Sequence, residues 1–176
     1  MSGSGRASAS VRRETPQDGA AIRTVNEKAF GGPAEADLVE ALRRHGALTL
    51  SLVAIQAVEI VGHIAFSPVT IHGVESTFPT LGLGPMAVIP AWQRRGIGSL
   101  LVRRGLAECR DAAWAGVVVL GHPEYYPRFG FVRASAFGIT CEYPVPDEVF
   151  MALELIPGAL SGHGGIARYR PEFSTV

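Results

Sequence analysis

The segment from Thr80 to Cys109 constrains the fold more than any other. A β-prone run, "TLGLGPMAVI", passes through "PAWQRRGIGS" into a helix whose Ile97, Leu100, Leu101, Val102, Leu106 and Cys109 form a broad apolar face. A strand feeding directly into an amphipathic helix commits the chain to packed layers of sheet and helix. The turn between them is unusual, because glycine is a poor helix former and the helix dipole disfavours cations at this end. Arg95, Gly96, Ile97, Gly98 and Ser99 lie where a helix leaves its first N–H groups free, and the glycines let an anion approach the backbone. Arg94 and Arg95 add charge-assisted donors suited to phosphate. A solvated basic first turn is the alternative, but its sign opposes the dipole, so a bound anion is the better reading. Arg103 and Arg104, about two turns further on, read as ordinary solvated residues.

The flanking sequence points to one mixed α/β domain. "VRRETPQDGAAIRTVNEKAF" reads as a short strand and then a helix, with Thr15 as N-cap, Pro16 in the first turn and Asp18 where the dipole favours an acid. Ala21, Ile22, Val25 and Ala29 recur at helical spacing, and Gly31 and Gly32 stop the helix. Ala34 to His45 reads as a second helix closed by Gly46. "ALTLSLVAIQ" and "EIVGHIAFSPVTI" read as an antiparallel hairpin, followed by a loop around His72 to Pro79 and the Thr80 strand. After the main helix come a strand "AGVVVLG", a turn "HPEYYPRFG", a strand beginning at Phe131 and a last strand, Glu148 to Leu155. The glycine-rich tail after Pro157 carries no clear element. "MSGSGRASAS" has no apolar core of a signal peptide and reads as a disordered leader over residues 1–10, leaving 11–176 as the single domain.

Composition narrows the chemistry. Lys plus Arg and Asp plus Glu number 16 each, so no global basic field argues for nucleic acid, and recognition of a charged ligand must be local. Cys109 and Cys141 are far apart and outside any CxxC spacing, which fits a reduced cytoplasmic protein. The five histidines form no HExxH pair, so no metal site is expected, and no apolar run is long enough to cross a bilayer. "GLGPMA" matches the letters of the dinucleotide fingerprint, but Pro85 and a β-prone run follow where a helix should open. Gly84 and Pro85 instead interrupt a strand. Two outcomes stay open: a plain irregular strand, or unpaired backbone that accepts an extended ligand as a false neighbouring strand.

The strand, the "QRRGIGS" turn and the amphipathic helix resemble the acyl-CoA pyrophosphate loop of the GNAT superfamily of N-acetyltransferases, whose Q/R-x-x-G-x-G/A pattern is matched by Gln93, Gly96 and Gly98. "YYPRFGF" is similar to the family's Y-x-x-x-G-F through Tyr126, Gly130 and Phe131. "RRETPQDGAAIRTVNEKAF", "EADLVEAL", "VGHIAFSPV" and "RYRPEF" resemble its YhbS-like bacterial branch. The resemblance implies an α+β fold with a mostly antiparallel, centrally splayed twisted sheet flanked by helices. It also implies acetyl-CoA as acyl donor, with the backbone of Met86, Ala87 and Val88 on the pantetheine arm. Gln93, Arg94, Arg95, Gly96, Ile97, Gly98 and Ser99 would hold the pyrophosphate, and Tyr126 would face the sulfur. The sequence departs from the family pattern in two places: the strand before the loop has no acid to serve as base, and Gly121 and His122 stand where many members have an asparagine.

The implied reaction is direct attack of an amine on the thioester. The leaving thiolate has a conjugate pKa of roughly 8.5, so Tyr126 within hydrogen-bond reach would ease its departure. Deprotonating a lysine-like ammonium at neutral pH costs about 4–5 kcal/mol, against about 1 kcal/mol for an α-amino group. Glu27, His63, His122 and Glu124 are the titratable groups nearest the expected site, with His122 beside the tyrosine turn taken as catalytic, Glu27 on the first helix as the expected acceptor contact, and the general base left unassigned. Three readings follow: an N-acetyltransferase, a catalytically silent acyl-CoA-binding module, and an acyltransferase using a longer acyl-CoA or an oxygen acceptor. The expected partners are acetyl-CoA and an amine, with a homodimer left open and neither nucleic acid nor membrane expected.

Overall fold

The computed structural model describes residues 8–176. The strands are β1 (Ser10–Arg13), β2 (Leu50–Gln56), β3 (Glu59–His72), β4 (Thr77–Val88), β5 (Gly116–Leu120), β6 (Val132–Arg133), β7 (Ile139–Cys141), β8 (Phe150–Glu154) and β9 (Gly165–Arg168). The helices are α1 (Gly19–Phe30), α2 (Ala34–Arg44) and α3 (Ile97–Asp111). The sheet runs β1-β2-β3-β4-β5-β8-β6, with β9 pairing both β3 and β7. The pairing is antiparallel except at β4–β5 and β7–β9. The expectation of a mostly antiparallel mixed sheet flanked by helices is met.

Side-chain alternation along the strands assigns the two faces. On one, Leu52, Ile64, Phe66, Leu81, Val117 and Val119 pack with Ile97, Leu101, Val102 and Leu106 of α3. A Cβ at Gly105 would lie 2.5 Å from Phe66 Cε2, so the small residue sets how closely α3 seats on the sheet. On the other face Ile22 of α1 and Val39 of α2 cover Val53. Farther along, Val69, Ile71, Val118, Phe150 and Leu160 form a second buried group with Ala167 of β9.

Several boundaries differ from the sequence reading. Thr15 and Asp18 form a capping box, but around a short Pro16–Asp18 turn that precedes α1. β4 begins at Thr77, and the expected loop shrinks to the residues around Gly73–Ser76, closed by Gly73 N–H donating to Ser76 O. Phe131 is buried but lies just before the two-residue β6. The tail contains β9, held between β3 and β7. Of the expected leader, residues 1–7 lie outside the described residues, while Ser10 already pairs with Ile55. No helix among the described residues is long and apolar enough to cross a membrane.

Candidate active site

β4 and β5 separate where Gly84 and Pro85 interrupt the ladder. Their parallel pairing covers only Leu81–Val117, Gly82–Val118 and Leu83–Val119. β4 continues to Val88 beside β3, with Ala87 opposite His63 and Met86 opposite Ile64. Ile89 N–H donates to Val61 O. Backbone groups on an antiparallel strand alternate in direction. Those of Ala87 therefore point to β3, while those of Met86 and Val88 point to the side that β5 has left. The donor from Gln93 Nε2 to Val88 O, at 2.9 Å, agrees with this direction. Of the two outcomes open from sequence, the geometry is the one that offers an edge to an extended ligand.

The chain then turns through Pro90–Trp92 into the loop. Arg94 (φ 60°) and Gly96 (φ 84°) both take the left-handed conformation, an arrangement that aims successive N–H groups inward. Gly96 is the N-cap of α3, and no side chain among the described residues caps the helix. The N–H groups of Ile97, Gly98 and Ser99 therefore remain as anion donors. Gly98 sits 3.1 Å, from an ideal Cβ, to Tyr125 Oη, and Ser99 Oγ lies 3.3 Å from the same hydroxyl. Tyr125 closes the loop from the far side, with Arg128 stacked 4.6 Å over its ring.

A cleft of about 1100 Å³ joins these parts. That exceeds the ~300–1000 Å³ typical of a site for one small ligand and suits two substrates. Met86, Ala87, Val88, Gln93, Arg94, Gly96, Ile97, Gly98, Ser99, His122 and Tyr126 all line it. Three of the residues singled out from sequence are placed otherwise. Arg95 does not line the cleft, because its guanidinium is stacked 4.8 Å over Trp92. Ala87 lines it, but its peptide is turned to β3 and offers the cleft no hydrogen bond. Glu27 lies outside the cleft with its carboxylate paired to Arg23 Nη1 at 2.7 Å. The acid that does line it is Glu35, at the start of α2. Nothing in the sequence marks Arg128 or Glu35 as cleft residues, whereas the doubled tyrosine before Pro127 is the signal for Tyr125.

Tyr126 is 7% exposed and lines the cleft. Its ring packs edge-on against Tyr125 and Phe131, at 5.1 and 5.6 Å, and against the bare face of Gly121, where a Cβ would fall 2.2 Å from Cε2. Glycine after β5 therefore makes the space for this ring. Burial pushes the Tyr126 phenol well above its ordinary pKa, so it stays a protonated donor. His122 is exposed at the rim.

His63 is fully buried on the face covered by α1 and does not line the cleft. Asn26 Nδ2 donates to His63 Nδ1 at 3.2 Å, which leaves the Nε2–H to donate to Ser51 Oγ at 2.9 Å, and Ser51 Oγ donates in turn to Glu14. Burial, with Arg43 nearby, outweighs the pull of Glu14 and lowers the imidazole to about 4. It is a neutral structural group. Among the described residues no cluster of three or more His, Cys, Asp or Glu side chains could hold a metal.

Comparison with known proteins places these features in a family. Residues 48–133 match the family model of the acetyltransferase (GNAT) domain. The chain is 35% identical over 165 residues to the uncharacterized N-acetyltransferase YhbS of Escherichia coli K12, covering 93% of this chain and 98% of the relative. It is 39% identical over 155 residues to the uncharacterized N-acetyltransferase YjhQ of the same organism, covering 83% and 85%. The crystal structure of E. coli YhbS in complex with CoA aligns with a TM-score of 0.89 at 35% identity, over 94% of this chain and 92% of that one. That of a GNAT family acetyltransferase from Brucella melitensis in complex with acetyl-CoA aligns at 0.78 and 42% identity, over 94% and 98%.

Proposed function

The chain belongs to the GNAT acetyltransferase family, and from that premise we propose that it moves an acetyl group from acetyl-CoA to an amine by direct attack in a ternary complex. One observation carries this reading. The unpaired edge of Met86 and Val88 runs into an uncapped helix N-terminus, offering peptide groups to an amide-bearing arm and N–H donors to a pyrophosphate within one cleft. The residues present fit the donor. Met86 and Val88 would hold the pantetheine arm, Arg94 and Gly96–Ser99 the pyrophosphate, and Arg128 supplies a further cation at the same end.

In the reaction the amine nitrogen bonds to the thioester carbonyl carbon, the C–S bond breaks, and a proton passes overall from nitrogen to sulfur. The task of Tyr126 is to hold a hydrogen bond to the departing sulfur. Its raised pKa makes full proton transfer to a thiolate of conjugate pKa roughly 8.5 uphill, so stabilisation by donation is the larger part of its role. His122, exposed at the rim, is the imidazole that lines the cleft and serves as its base. The enzyme works in the cytoplasm, where the free Cys109 and Cys141 stay reduced.

Acetyl-CoA at 100 times its dissociation constant should stabilise the protein by about 2.7 kcal/mol, read as a melting shift of roughly 5–10 °C. Absence of any shift with acetyl-CoA overturns the reading. A shift without thiol release across a broad panel of amines points instead to the silent acyl-CoA-binding module.

A further inference from the structure

Resting on the acyl-transfer reading above, we infer that the acceptor is a small amine carried on an apolar or aromatic body and bearing no anionic group. The cleft is polarised along its length. Its guanidinium groups, Arg94 and Arg128, and the uncapped N-terminus of α3 lie at the donor end. The opposite end is walled by α1, α2, the segment after β7 and the C-terminal segment, through Phe30, Leu38, Val145, Tyr169 and Phe173. Among the described residues no lysine or arginine lines that end, and the one carboxylate side chain lining the whole cleft is Glu35.

Glu35 has no ion-pair or hydrogen-bond partner among the described residues, whereas Glu27, Asp37 and Glu40 around it all pair with Arg23. An anionic acceptor would meet this carboxylate with no cation to offset its desolvation. Phe30 is 45% exposed and belongs to none of the buried clusters, so its ring gains burial when an apolar ligand covers it. Tyr169 is held between Tyr143 and Phe173, with ring centroids 5.9 and 5.1 Å away. Its hydroxyl is buried without a hydrogen-bond partner, although the residue lines the cleft. A sugar or an open-chain polyamine would leave the aromatic walls uncovered.

Thiol release from acetyl-CoA is measured with 2-phenylethylamine, ethanolamine, phenylalanine and glucosamine 6-phosphate. 2-Phenylethylamine should exceed each of the others in kcat/KM by at least about tenfold, the scale of one buried apolar group. Phe30→Ser should raise its KM about fivefold while leaving kcat and the melting temperature nearly unchanged. Glu35→Gln should reduce the discrimination against phenylalanine by about two- to fivefold. Preference for ethanolamine or the sugar phosphate overturns the inference, as does turnover of none of the four while acetyl-CoA still raises the melting temperature. Both results leave the donor reading standing, whereas failure of acetyl-CoA to shift melting removes both.

Discussion

Two residues set against each other show how burial decides chemistry. Tyr126 and His63 are both buried, but Tyr126 reaches the cleft and His63 does not. Tyr126→Phe keeps the packing against Phe131 and Gly121 and removes only the donor. It should lower kcat about 100-fold while the melting shift with acetyl-CoA persists, as shown by parallel turnover and melting measurements. His63 answers to pH instead. Its folded pKa of about 4 lies below the ordinary value of 6.5, so the unfolded chain takes up the proton first as pH falls. Stability is therefore full above pH 6.5 and is lost between 6.5 and 4, by roughly a factor of ten in the folding equilibrium per pH unit. Denaturant titrations across that window should show the slope, and His63→Gln should flatten it. The lowered pKa of Glu14 belongs to a more acidic window: burial raises it, but the donors from Arg43 and Ser51 outweigh that.

Among the elements, α3 is the platform that presents the loop, and its seating depends on Gly105. Gly105→Ala places a methyl 2.5 Å from the fully buried Phe66 ring and should cost about 1–3 kcal/mol. That is a fall in melting temperature of roughly 2–4 °C per kcal/mol for a chain of this size, measurable by calorimetry. The elements legible in the sequence are those with their own periodicity or punctuation. α3, the β2–β3 hairpin and the interruption at Gly84 and Pro85 are examples, and Gln93, Gly96 and Gly98 mark the loop. β7 and β9 were not legible, since three or four residues carry no period of their own and are held by pairing with partners distant in sequence.

Over the whole molecule, one cleft is assembled from segments as far apart as Phe30 and Phe173. Phe173 packs with Leu38 and Leu42 of α2, and Glu172 accepts from both Arg170 and His45, so the C-terminal segment is tied to the α2 wall of the cleft. Removing Pro171–Val176 should leave the melting shift with acetyl-CoA in place and raise the KM for an aromatic amine about tenfold, read by thiol release. The sequence by itself determined the strand, glycine turn and helix N-terminus around Gln93–Ser99, because these are contiguous and their geometry is local. Tertiary structure alone decided the rest. It turned Arg95 onto Trp92 and Glu27 onto Arg23, opened β4 from β5, and brought Glu35 and Tyr169 to one cavity. Side-chain partners and cavity walls come from long-range packing, which leaves no spacing to read along the chain.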